Sequence, residues 1–207
     1  LLNQFAIPKE LETEAKEKKM SSKMLTSFVD GTKTMIEMAA LANSIDFTVD
    51  KEGMHGPNAT YDELNKIFVP KKDGGILSNQ QVVDYAFGIA PGVFAIIYSE
   101  DDYVNYEMEH LKMGEGPYWT LYRPYHLTSL EISRTIMHLA VNKDTILNAK
   151  TWNVYVAAYA KKDLKKGDRL DSIGGNCYYG VATNQSYKES YLPVGISENA
   201  TMTESVI

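Results

Sequence analysis

At 207 residues, 44% hydrophobic and 23% charged, the chain has room for one large domain or two small ones and the balance of an ordinary soluble globular protein. A net charge of −6 excludes nucleic acid as a main partner, because neutralising phosphates needs a basic face. The single cysteine, Cys177, excludes an internal disulfide, and no apolar run reaches the roughly 20 residues of a spanning helix, so a cytoplasmic protein without a membrane partner is expected.

The chain opens on Leu-Leu-Asn rather than Met, and it reads as a portion of something longer. Residues 9–19, KELETEAKEKK, mix charges of both signs and are expected to form a solvated connector from an upstream part. In SFVDGTKTMIEMAALAN (27–43), Asp30-Gly31-Thr32 reads as a turn or cap before a long helix. Met35, Ala39 and Ala42 fall on one face of that helix, which predicts its burial. Lys33 and Glu37 lie four apart and project from the same side. They form either a simple ion pair or a lysine aimed into a cleft with Asp30 near it.

DKEGMHGPNAT (50–60) is a loop, and His55 in it reads as exposed surface or part of a mobile active-site loop. Thr60 and Glu63 form a capping box that opens a short helix through Phe68. VVDYAFG (82–88) and GVFAIIYS (92–99) read as two strands, and the short link between them predicts a β-hairpin. Residues 101–113 look helical. GEGPYWTLYRPYHLTSLE (114–131) then gives an aromatic strand that ends at Arg123 and His126, just before a helix. The end of a strand is a common ligand site in α/β folds. A guanidinium there offers a fork for phosphate or carboxylate, and an imidazole can move protons near neutral pH. Ordinary core aromatics with polar strand ends explain the same pattern. Thr128 and Glu131 form a second capping box, which leaves Glu131 as cap or acid, and the helix runs to about Val141 with Ile132, Ile136, Leu139 and Ala140 on its packing side.

From about Ala149 the texture turns β-rich, with strand-like NVYVAAYA and CYYGVA around a Lys-Gly-Asp turn. No G-x-G-x-x-G, Walker A loop, H-E-x-x-H or G-x-S-x-G is present, so neither a nucleotide cradle nor a metal site is expected in these residues. Cys177, in a strand, is expected to be inert.

Four stretches taken together resemble a known family: 27–43, GEGPYWTLYRPYHLTSLEISRTI (114–136), VAAYAKKDLKKGDRLDSIGG (156–175) and YLPVGISENATM (191–202). The set resembles the homoserine dehydrogenase-like oxidoreductases of bacteria, whose best-known members are the deoxyxylulose-phosphate reductoisomerase-like enzymes of isoprenoid synthesis. The last two stretches are similar to a SAF-type β-rich module. The resemblance implies an NAD(P)-binding Rossmann domain, which this chain lacks, then a catalytic and dimerisation domain, then the SAF-like end. It implies Lys33 and Asp30 as a polar catalytic pair. Arg123 and His126, with Glu37, would bind a small-molecule substrate, in one hollow shared with Lys33.

These readings set three expectations. The fold is α+β, with a mixed or antiparallel sheet covered by helices. Residues 1–19 are a connector, 20–149 a catalytic and dimerisation domain, and 150–207 a SAF-like module, the whole forming a homodimer. The function is the substrate-binding part of an NAD(P)-dependent oxidoreductase acting on a small carbonyl or hydroxy compound, possibly a sugar phosphate in class. A non-catalytic carbohydrate-binding or assembly module is the competing reading.

Overall fold

The computed structural model describes residues 2–125, 128–184 and 192–206. The helices are α1 (Glu12–Glu17), α2 (Ser22–Val29), α3 (Thr32–Ile45), α4 (Leu64–Ile67), α5 (Asp102–His110), α6 (Thr128–Asn142) and α7 (Val194–Ser197). The strands are β1 (Thr48–Val49), β2 (Val82–Val83), β3 (Gly92–Tyr98), β4 (Tyr118–Pro124), β5 (Tyr155–Ala160) and β6 (Tyr178–Thr183). They pair two by two, with β1–β2 parallel and the other two ribbons antiparallel. The fold is α+β. Its contacts divide the chain into two compact units, residues 1–55, 81–84 and 149–207 in one and 56–80 with 85–148 in the other.

The first unit is built on α3. Its apolar stripe buries Met35, Ala39 and Ala42, the face that the periodicity predicts. The helix packs chiefly on β6 and also on β5. Gly180 makes that approach possible, since a Cβ there would stand 2.8 Å from Val156 and 3.0 Å from the Thr32 methyl. Its N–H instead donates to the Thr32 hydroxyl at 2.8 Å. A core of Leu164, Leu170, Cys177, Tyr178 and Val194 closes beside Ile36. Asn43 fastens the chain where it returns to this unit: its side chain donates to the Val154 carbonyl and accepts from the N–H groups of Asn153 and Val154. Residues 8–17, expected as a connector, form a 3-10 turn and α1, both packed against α2. Burial pushes the Cys177 thiol above its ordinary pKa, which disfavours the reactive thiolate.

The second unit is built on the β3–β4 ribbon, in register from Gly92 opposite Pro124 to Tyr98 opposite Tyr118. One face carries Phe94, Tyr118, Thr120 and Tyr122, and α4 packs against β4. Phe68 meets Phe94 at 5.2 Å between ring centroids, and Tyr61 meets Tyr122 at 5.5 Å. The other face carries Trp119, fully buried, whose indole N–H donates to the Asn105 side chain on α5 at 2.9 Å.

Two local expectations need correction. The hairpin of residues 82–99 does not form: Val82–Val83 pairs in parallel with Thr48–Val49, and Gly92–Tyr98 pairs with Tyr118–Pro124. Gly88 at φ +91° and the Pro91 that follows turn the chain instead of closing a tight loop. The expected packing side of α6 is also open, with Ile132 56%, Ile136 60% and Leu139 52% exposed.

Candidate functional site

The DGTK segment opens the first unit's site. Gly31 sits at φ +84° between α2 and α3, the left-handed conformation that glycine adopts at low cost. The Asp30 carboxylate accepts the Thr32 N–H at 2.9 Å, which satisfies one of the donors that a helix start leaves without a partner. Its other oxygen meets the Lys161 ammonium at 2.7 Å, and both side chains are almost wholly buried. Lys161 gives its remaining protons to the carbonyls of Ala6, at 2.7 Å, and Gly175, at 3.0 Å. The pair is therefore saturated. It locks the α2–α3 turn to β5 and the loop before β6.

Lys33 stands differently. It faces Glu37 at 3.6 Å with 36% of its side chain exposed, and its ammonium lies 4.8 Å from the Phe28 ring centroid. An exposed pair of that kind contributes little to stability, on the order of 0–1 kcal/mol, so this lysine is available to a ligand. It lines a groove of about 440 Å³ together with Lys23, Ser27, Glu37 and Ile173. Two ammonium groups against one carboxylate make the groove fit for an anion. The sequence places Lys33 and Asp30 as a pair; in the structure Lys33 faces Glu37 and Asp30 faces Lys161.

The loop after β1 holds a feature that residue types alone do not reveal. His55 is not open surface: its Nε2 lies 2.8 Å from an Asp50 oxygen, and the two side chains are 15% and 1% exposed. The His55 N–H reaches both oxygens of Asp84 at 3.1 and 3.0 Å. Gly53, Met54 and Gly56 all have positive φ around it, so the backbone is bent to hold the imidazole against Asp50. A histidine oriented by a buried carboxylate has the make-up of a proton-transfer group. The sequence signal was the D-x-x-x-x-H spacing in a Gly-rich loop, too short a pattern to separate from surface.

In the second unit Arg123 lies on β4 opposite Val93 and pairs with Glu131 of α6. That contact gives Glu131 a partner other than its own helix end. His126 lies outside the described residues, as does the side chain of Thr128, so the second capping box stands there too. Lys33 belongs to the first unit and Arg123 to the second.

Beneath β4 a hollow of about 620 Å³ opens beside α4. The Tyr118 hydroxyl donates to Asp73 at 2.7 Å, and that bond, with burial and the Asp73 charge, pushes its pKa up to about 12. Asn65 of α4 donates to the Tyr118 carbonyl at 2.9 Å. Among the described residues no group of three or more His, Cys, Asp or Glu side chains is arranged to hold a metal ion, and no helix is long and apolar enough to cross a membrane.

Residues 2–132 match the family described as oxidoreductase DRL, catalytic domain. The chain belongs to that family. The match takes in α2, α3, the His55 loop and all of β4, so Lys33, Asp50, His55 and Arg123 fall inside the catalytic domain. No curated protein matches the chain.

Proposed function

We propose that these residues are the substrate-binding and catalytic part of an NAD(P)-dependent oxidoreductase that interconverts a small carbonyl compound and its hydroxy form. Membership of an oxidoreductase catalytic-domain family carries the reading. The groove at Lys33 supports it locally, because it offers an accessible ammonium in surroundings fit for an anion. A substrate carrying phosphate or carboxylate, such as a sugar phosphate, suits that charge balance. Kinship with the homoserine dehydrogenase-like and deoxyxylulose-phosphate reductoisomerase-like enzymes, and a SAF-like role for residues 150–207, belong to the same proposal.

The roles follow from charge. Reduction of a carbonyl builds negative charge on oxygen, which a nearby ammonium stabilises and protonates. Lys33 takes that role, and Glu37 holds its side chain over the groove. Asp30 acts by position: with Lys161 it sets the start of the helix that carries Lys33. Arg123 and His126 stand as further substrate contacts. The described residues contain no Gly-rich loop between a strand and a helix, so they do not fit a dinucleotide. The NAD(P) site is assigned outside them, and no step is routed through it here.

Homodimerisation is part of the proposal, supported by the exposed apolar side chains of α6, among them Leu130, Ile136 and Val141. A monomeric mass by light scattering counts against it. The reaction itself is tested by assaying the protein that carries these residues, together with its nucleotide-binding part, with NADPH against sugar phosphates, polyols and amino-acid-derived aldehydes. Turnover of an anionic carbonyl compound is expected. No oxidation of NADPH with any of them defeats the proposal.

A further inference from the structure

The hollow under β4 uses none of the residues assigned to the reaction, and one atom in it is unexplained. Thr120 is 4% exposed, lines the hollow, and its hydroxyl has no hydrogen-bond partner among the described residues. A buried hydroxyl without a partner costs about 1–3 kcal/mol, so folded proteins rarely leave one idle. Its strand places it there deliberately. Thr120 pairs with Ile96 and shares a face with Tyr118 and Tyr122, on the side where α4 packs. Trp119 and Leu121 point to the opposite face, and Gly116 at the entrance keeps its place because a Cβ there would stand 2.7 Å from the Trp119 ring.

The chemistry around Thr120 is graded. The inner wall is neutral: buried Val69, the Asn65 side chain and the Tyr118 phenol. The phenol stays protonated at all ordinary pH, as its raised pKa requires. The rim is charged and exposed, with Asp62, Asp73 and Glu115 against a single Lys66. Three carboxylates facing one ammonium repel phosphate. A cation is no better suited, because it would rest among the rim carboxylates and leave Thr120 without a partner. A molecule of several hydroxyls matches both levels: one hydroxyl reaches Thr120 inside, and others donate to the carboxylates outside. The Tyr61 and Tyr118 rings offer apolar walls for its C–H faces.

We propose that the hollow bounded by α4, β4 and the Gly114–Gly116 loop binds an uncharged polyhydroxylated molecule, with the Thr120 hydroxyl as its innermost hydrogen-bond partner. This goes beyond the oxidoreductase reading and does not depend on it.

The test is calorimetric titration of the full 207-residue chain with xylitol, and in parallel with inorganic phosphate and with putrescine. Saturable binding of xylitol alone is expected. Thr120→Val, which keeps the shape, should weaken it about tenfold, while Thr120→Ser should retain it. Tyr118→Phe should also weaken it, and serves as the second variant if Thr120→Val loses its cooperative thermal transition. Absence of saturable xylitol binding, equal binding by wild type and the variants, or stronger binding of phosphate or putrescine each overturns the proposal.

Discussion

The groove of the first unit and the hollow of the second are built from similar residue types and have opposite characters. The groove sets Lys23 and Lys33 against Glu37, and the hollow sets Asp62, Asp73 and Glu115 against Lys66. A chain with a net charge of −6 thus keeps one region positive, so charge patterning within a unit says more about its ligands than the total does. A second contrast runs inside the first unit. Lys161 is saturated by a carboxylate and two carbonyls, whereas Lys33 has one exposed partner. The first lysine is placed to hold the fold and the second to meet a substrate.

The largest effect that sharpens this contrast falls on the buried pair. Lys161→Ala leaves the Asp30 carboxylate buried without its cation and should cost about 3–5 kcal/mol in denaturant unfolding. A loss below about 1 kcal/mol would place this pair among ordinary surface contacts. Next comes the effect on turnover. Arg123→Ala should lower kcat/KM at least tenfold, about 1.4 kcal/mol of transition-state binding. Wild-type kinetics would remove it from the substrate contacts.

Smaller still are the pH effects. Tyr118 has its folded pKa raised above 10 to about 12, so its bond to Asp73 contributes fully below pH 10 and is lost as the pH rises through about 12. Alkaline unfolding of Tyr118→Phe should lack that component, and tyrosinate absorbance follows it directly. Asp171 works at the other end. Burial raises its pKa, but the N–H groups of Asn176 and Cys177, with the Asn176 side chain, outweigh that and hold it below 3.8. Its stabilisation is present above 3.8 and fades as the pH falls through the lower folded value. Asp171→Asn should therefore flatten the acid limb of the stability curve, and an unchanged limb would contradict the assignment.

What the sequence made legible was local. The helix of 27–43, the capping box at Thr60 and Glu63, and the strand from Tyr118 each declare themselves within a few residues. The Lys33–Glu37 pair follows from helical spacing alone. Contacts between distant residues were not legible. Asp30 finds Lys161 across 131 positions, and nothing in a Lys-Lys-Asp turn marks one lysine as buried. The hairpin reading failed for the same reason: Val82–Val83 and Gly92–Tyr98 both have strand character, but their partners come from Thr48–Val49 and from beyond α5. His55 was undervalued because its two carboxylates become neighbours only when β2 settles beside β1. The apolar stripe on α6 was read correctly as a pattern and wrongly as covered within the chain.

The central claim is that the accessible ammonium on α3 serves turnover while the buried one on β5 serves the fold. The most direct measurement is the steady-state kinetics of Lys33→Ala alongside its unfolding midpoint, in the protein with its nucleotide-binding part. A fall of at least tenfold in kcat/KM with the midpoint nearly unchanged is the predicted result, and wild-type turnover by that variant would contradict it.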